Sequence, residues 1–159
     1  MVDQYRISLR KLDPVDSGEL YQLIQFNETF LTRNGDYLDY IALSEDQHRA
    51  GLGDAERPDI NFGVRLEEAL IGVVTLIHYA PGVFGLGYWM SENFAGRGLT
   101  SEAVTLLLSK AQAEYGANEF WAGITPTNQE SIDLVKRLGF ELARTQESHL
   151  SFRLKRAST

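Results

Sequence analysis

A mixed α/β sheet flanked by helices, of the α+β kind with mostly antiparallel strands, is the fold class this sequence predicts. Three observations point to it. Between residues 61 and 90 the hydrophobic period is two, broken by turn residues at Glu67-Glu68 and Ala80-Pro81-Gly82, which is the pattern of a three-stranded meander. The aromatic run Gly87-Tyr88-Trp89-Met90 then leads into Gly96-Arg97-Gly98, and a helical period starts immediately afterwards. A short apolar strand at 119–124 precedes a second helix that opens near Asn128.

The elements follow in order. Residues 5–9 alternate, with Ile7 and Leu9 facing one way and Arg6 and Ser8 the other, which gives a first strand. Asp13-Pro14 marks a helix start, with proline in the first turn, and Leu20, Leu23, Ile24 and Asn27 follow at helical spacing. A second helix is predicted over 36–49, where Tyr37, Tyr40, Ile41 and Leu43 make a partly aromatic face. Residues 51–58 are a polar break. Strands are predicted at 62–66, 69–79 and 83–90. After Gly98, Ala103, Leu106, Leu107 and Ala111 share one stripe that runs to about 115, where Gly116 caps the helix. The strand at 119–124 and a helix over 128–138, closed by Gly139, come next. Residues 140–143 and 149–154 read as a late hairpin, and the polar tail from Lys155 is expected to fray. Neither a repeat nor a linker divides the chain, so a single domain over 1–159 is expected.

Composition narrows the function classes. With 159 residues, 43% of them hydrophobic, the chain can bury a core of its own. It has no cysteine, which excludes disulfides, thiolate metal sites and a cysteine nucleophile, and fits a cytoplasmic location. No apolar run is long enough for a membrane span, and no leader of the secretory kind is visible. The net charge of −7 and the lack of a basic run argue against nucleic acid as a partner, and favour a cationic substrate only mildly. His48, His78 and His149 are scattered, with no acid at ligand spacing, so no metal is expected.

Two stretches carry chemistry. Gly96-Arg97-Gly98 ahead of a helix aims backbone N–H groups at a helix start, a place for phosphate oxygens, and Arg97 adds a cation. The tripeptide alone fits an ordinary strand–helix turn equally well. It lacks the lysine of a nucleotide-triphosphate loop and the third glycine of a dinucleotide fold. In Thr125-Pro126-Thr127-Asn128-Gln129-Glu130-Ser131, Thr127 and Glu130 have capping-box spacing, Asn128 offers a donor and an acceptor, and Ser131 lies one turn on.

Taken together, Gly87-Tyr88-Trp89, Gly96-Arg97-Gly98, Glu102-Ala103, Asn128-Gln129-Glu130-Ser131 and Leu138-Gly139-Phe140 resemble the GCN5-related N-acetyltransferase (GNAT) superfamily. The resemblance is to the branch that acetylates the N-termini of ribosomal proteins. Arg6-Ile7-Ser8-Leu9-Arg10 and Ile71-Gly72 match as well, so it covers nearly the whole chain and is densest over 71–140. It implies acetyl-coenzyme A as donor and a primary amine as acceptor, either a protein N-terminus or a small molecule. The acetyl group is expected to move by direct attack in a ternary complex. It also implies a sheet whose central parallel strands splay apart, with the pantetheine arm between the strand ending near Met90 and the one starting near Phe120. The pyrophosphate is expected against backbone groups of Ala95, Gly96, Arg97, Gly98, Leu99 and Thr100. Asn128 matches the family's cofactor-contacting asparagine, and Ser131 the serine near the thiol end. Ala95 and Thr100 depart from the usual turn, where arginine or glutamine begins it and glycine or alanine ends it. Family members occur as monomers and as homodimers.

Acetyl transfer needs a neutral amine, a donor for the developing oxyanion and a proton for the leaving thiolate. The oxyanion donor is expected to be a backbone N–H near Met90 or Ser91. Glu92, after the central strand, and His78, on the neighbouring one, are candidate bases, each with a solvent-facing or structural role as the alternative. Ser131 is the candidate at sulfur, with a bond to its own helix as the alternative. Tyr88 and Trp89 read as packing residues, with a place bordering the acceptor channel as the alternative for one of them; Tyr37 and Tyr40 read as core residues, with lining that channel as the alternative. A noncatalytic acyl-coenzyme A sensor and a plain α/β domain without a cofactor are the competing functions.

Overall fold

The computed structural model of the chain describes residues 6–156. Seven strands form one sheet in the order β1-β2-β3-β4-β5-β7-β6. They are β1 (Ser8–Lys11), β2 (Asp59–Leu66), β3 (Ala69–Ala80), β4 (Val83–Met90), β5 (Glu119–Ile124), β6 (Glu141–Thr145) and β7 (Leu150–Lys155). Every neighbouring pair is antiparallel except β4–β5. The helices are α1 (Ser17–Phe26), α2 (Glu28–Leu31), α3 (Leu38–Ile41), α4 (Glu45–Leu52), α5 (Leu99–Tyr115) and α6 (Gln129–Arg137).

The period-two strands bury both faces of the sheet at its centre. On one face α5 and α6 bring Val104, Leu107, Leu108 and Val135 against Phe62, Phe120 and Phe152. Removing each such side chain from water contributes about 1.5–3 kcal/mol, which is why this layer holds the long α5 crossover in place. On the other face Leu20, Ile24 and Leu31 pack with Val73 and Trp89. The buried Arg65 fastens that helical cap to β2, bonding Glu19 at 2.7 Å and Asp16 at 3.4 Å.

Four expectations shift. The first strand begins at Ser8 rather than at residue 5, in register with Arg65 of β2, and Tyr5 lies outside the described residues. The helix expected over 36–49 is two helices. Ser44 accepts the Gln47 N–H at 3.1 Å while its own N–H donates to Gln47 Oε1 at 2.8 Å, so a capping box restarts the helix at Glu45. The cap of α6 is Asn128, whose Oδ1 accepts the Ser131 N–H at 3.2 Å; Thr127 instead donates its hydroxyl to Asn34 at 3.2 Å. The tail is ordered further than expected, because β7 runs through Lys155 and the Arg156 N–H donates to the Asn118 carbonyl at 2.8 Å.

Candidate active site

β4 and β5 pair only from Val83–Glu119 to Gly85–Trp121. Beyond that point each strand continues, to Met90 and Ile124 respectively, without its partner. The edge groups of β4 can be assigned from the opposite side. The Ser91 N–H donates to the Ile71 carbonyl at 2.8 Å, and Trp89 is in register with Val73, so the backbone groups of Ser91 and Trp89 face β3. Those of Tyr88 and Met90 therefore face the gap left by β5. Of the two expected oxyanion donors, Ser91 is thus occupied, and Met90 presents its N–H to the gap.

A cleft of about 370 Å³ runs along this gap. Met90, Ala95, Gly96, Thr100, Asn128 and Ser131 line it, as six of the expected donor-binding residues. Arg97, Gly98 and Leu99 shape it without lining it. Gly96 and Gly98 hold φ of 75° and 78°, and Gly98 caps α5, whose first N–H groups have no carbonyl within the helix. Leu99 anchors that helix start in the core. The Arg97 guanidinium lies 5.5 Å from the Phe94 ring, and its carbonyl accepts from Arg6 at 3.1 Å. Arg6 also pairs with Glu102 at 3.3 Å, so the chain's opening buttresses the glycine turn. The Ala95 N–H is bound to the Glu92 carbonyl at 3.1 Å.

The two candidate bases stand apart from the cleft. Glu92 is exposed and lines neither cavity; its N–H donates to Asn27 Oδ1 at 2.9 Å. His78 is exposed on β3 and stacks edge-on against Phe84 with ring centroids 5.3 Å apart, and Phe84 in turn meets Tyr115 at the far end of α5. The third candidate, Ser131, lines the cleft.

Sequence reasoning missed three features. The Tyr88 hydroxyl is buried without a hydrogen-bond partner among the described residues. Burial raises its pKa, and the nearby Ser131 side chain opposes the rise although the two do not reach hydrogen-bonding geometry. Second, residues 33–37 form a strap across the mouth of the gap. Arg33 pairs with Glu130 at 3.3 Å, Asn34 accepts from Thr127, and Asp36 accepts the Thr125 hydroxyl at 2.6 Å. Third, the buried Asn27 donates to Ser91 Oγ at 3.0 Å as well as accepting from Glu92, which pins the end of β4 to α1. Its helical spacing reads as a core position; nothing local signals the polar role.

Two glycines mark the point where the strands part. A Cβ on Gly87 would meet only Thr75 Cβ, at 3.7 Å, and one on Gly123 only His149 Cδ2, at 3.5 Å, both ordinary contacts. Neither has a positive φ. Packing and conformation therefore leave room for a side chain at both places, and the space kept open suits a ligand approaching the backbone closely.

Comparison with known proteins agrees with this geometry. A model of the acetyltransferase (GNAT) domain family matches residues 6–141. A ribosomal-protein-serine acetyltransferase of Escherichia coli is 26% identical over 129 residues, covering 77% of this chain and 72% of that protein. A ribosomal protein uS5-alanine N-acetyltransferase of the same organism is 35% identical over 78 residues, 47% of this chain and 40% of its own length. Among solved structures, a ribosomal L7/L12 α-N-protein acetyltransferase in complex with coenzyme A superposes with a TM-score of 0.85 at 19% identity, over 100% of this chain and 98% of that one. The PaiA N-acetyltransferase of Thermoplasma acidophilum, also with coenzyme A, gives 0.76 at 16% identity over 94% of this chain and 98% of its own.

Proposed function

The chain belongs to the acetyltransferase (GNAT) domain family and is an acetyl-coenzyme A-dependent N-acetyltransferase; from that premise we propose that it acetylates the α-amine of a protein N-terminus by direct attack in a ternary complex. The observation that carries this is the parting of β4 and β5 after Gly85–Trp121, with Gly87 and Gly123 keeping the gap open. The curated relatives whose names specify serine and alanine acetylation on ribosomal proteins support a protein acceptor.

The site fits acetyl-coenzyme A. The N–H groups at the start of α5, presented by Gly96 and Gly98, suit the pyrophosphate. The Tyr88 N–H and the Met90 carbonyl on the edge of β4 suit the pantetheine amides, and the Asn128 amide nitrogen remains for a ligand carbonyl once its oxygen has capped α6. The donor supplies an activated thioester; what the chain adds is placement and charge handling. The Met90 N–H stabilises negative charge on the carbonyl oxygen. The hydroxyls of Ser131 and Tyr88 donate to the departing thiolate, and burial keeps the Tyr88 hydroxyl protonated for that role. Asp36 is the cleft carboxylate tied to a neutral hydroxyl rather than to a cation, whereas Glu130 is paired with Arg33. Asp36 is therefore the group placed to take the amine proton, directly or through water.

Incubation with acetyl-labelled coenzyme A thioester and peptides beginning with Ser or Ala, followed by mass analysis, tests the reading. The expected product carries one acetyl group on its α-amine. Tight coenzyme A binding with no acetylated product from any peptide or small amine would assign the chain to a sensing role instead.

A further inference from the structure

The gap between β4 and β5 opens on both faces of the sheet. The cleft described above threads it, lined by Leu31 and Trp89 of the helical-cap layer and by Met90 and Leu134 of the layer under α5 and α6. A second cavity of about 450 Å³ shares Leu86, Ala122 and Gly123 with it and is walled by Tyr79 and Trp121. Cross-strand register orders its surroundings. Gly123 stands opposite Ser151, which stands opposite Arg144 on β6, and all three line the cavity; Arg153 borders it, in one row with Gly85 and Trp121 across β4, β5 and β7. The helical cap does not reach this part of the face: Tyr79 is 59% exposed and lies across Gly85.

Two guanidiniums flank the Trp121 wall of this cavity. The Arg144 and Arg153 guanidiniums lie 5.6 Å and 5.4 Å from the Trp121 ring, within cation–π range. Neither has a carboxylate within ion-pair distance among the described residues. Glu141, in register with Arg153, makes no such pair, and Glu119 accepts the Trp121 indole N–H at 2.7 Å. Two like charges are thus held over one ring beside an open cavity, their N–H donors without a carboxylate partner.

We propose that this cavity is the acceptor subsite and that Trp121, Arg144 and Arg153 select an amine acceptor bearing a carboxylate. The proposal rests on the transferase reading, since the amine must reach the cleft through the parted strands. Trp121 lies two residues, about 7 Å, behind Gly123 along β5. A carboxylate on the second or third residue of an extended peptide spans that distance while the α-amine reaches the gap. The two guanidiniums also disfavour the ammonium form of an amine held nearby, which aids attack.

The test is isothermal titration of the coenzyme A-loaded protein with tripeptides. Ser-Asp-Ala-amide is compared with Ser-Asn-Ala-amide and with Ser-Asn-Ala carrying a free carboxyl end. The expected result is at least tenfold tighter binding of the Asp peptide than of its Asn amide counterpart. In the Arg144→Gln, Arg153→Gln double variant the two peptides fall within twofold of each other while coenzyme A affinity holds. Equally tight binding of the free-carboxyl peptide supports the subsite and shows that it accepts a terminal as well as a side-chain carboxylate. Wild-type affinities within twofold for all three, or binding of none, overturn the proposal. A charge preference without acetyl transfer would remove the transfer reading and leave the subsite; transfer without a charge preference would do the reverse.

Discussion

The Tyr37 hydroxyl donates to the Tyr88 carbonyl at 3.0 Å, on the edge of β4 that β5 leaves open. Tyr37 holds φ at 65°, a left-handed conformation that costs a residue with a Cβ about 1–2 kcal/mol. Burial, first among the causes, pushes its pKa far above the ordinary phenol, so it remains a donor across the working pH range. The bond ties the end of the strap to the strand that forms the donor site. Tyr37→Phe is expected to lower stability by about 1 kcal/mol in urea titration. Amide exchange over 33–37 should accelerate with it. An unchanged exchange rate would show that the three strap contacts to the β5–α6 loop and α6 suffice without the phenol.

The glycine turn makes a sharper demand on one position. Gly98 has φ of 78°, and an added Cβ would lie 3.6 Å from Arg6 Nη2, so conformation rather than crowding excludes other residues. A β-branched side chain there forces the backbone out of the left-handed region and turns the first N–H groups of α5 away from the cleft. Gly98→Val is expected to weaken coenzyme A binding at least tenfold by calorimetry, with the far-ultraviolet spectrum of the folded protein retained. Unchanged affinity in a folded variant would remove the phosphate assignment.

At Gly123 the prediction runs the other way for stability. A side chain finds room in the strand, and valine suits a strand better than glycine, so Gly123→Val is expected to be neutral or up to about 1 kcal/mol more stable. It also fills the junction shared by the two cavities. Acetyl transfer should fall tenfold or more while coenzyme A binding changes far less. Full turnover in the variant would show that the acceptor does not pass this point.

The difference between these glycines explains how much the sequence could reveal. Local chemistry writes itself into local residues: the period-two meander, the stripe on α5 and the turn at Gly96 and Gly98 are all visible in order along the chain. Asn128 and Ser131 were legible because their neighbours form a recognisable helix start. Asn27 was not, since its partners Ser91 and Glu92 are more than sixty positions away and its spacing fits a core residue. Glu92 and His78 have suitable chemistry, but only the register of β3 and β4 shows where they point. The strap depends on pairings between residues 33–36 and 125–130, which no periodicity announces.

A buried histidine in the helical cap couples stability to pH. His48 packs edge-on to Tyr40 at 5.2 Å and is 5% exposed, with Nε2 lacking a partner among the described residues. Burial lowers its pKa, and the Tyr40 backbone opposes the shift. The unfolded chain takes up this proton near pH 6.5, while the folded chain does so only at lower pH. The neutral form therefore contributes stability above about pH 6.5 that is lost as pH falls toward the folded pKa, below which the effect levels off. Urea midpoints between pH 7.5 and 5 should fall more steeply for the wild type than for His48→Gln, by at most about 1.4 kcal/mol per pH unit. Parallel curves would place the acid sensitivity elsewhere.

The turn between β2 and β3 is built from residues ill suited to it. Glu67 and Glu68 hold φ of 49° and 80°, the pair of positive values that a tight two-residue hairpin needs to match the twist of its strands. Asparagine followed by glycine adopts this geometry at little cost, whereas each glutamate is held there at about 1 kcal/mol or more. The two side chains themselves hold little in place. The Glu68 carboxylate reaches Arg10 only at 3.9 Å and is 92% exposed, and the Arg65 bond to residue 68 uses the main-chain carbonyl, which any residue retains. Glu67→Asn with Glu68→Gly is therefore expected to raise stability by about 1–2 kcal/mol, read as a higher urea midpoint at constant slope. Coenzyme A affinity should not change, because the turn lines neither cavity. A fall in stability would mean that the two glutamates make an electrostatic contribution larger than their exposure and distances allow.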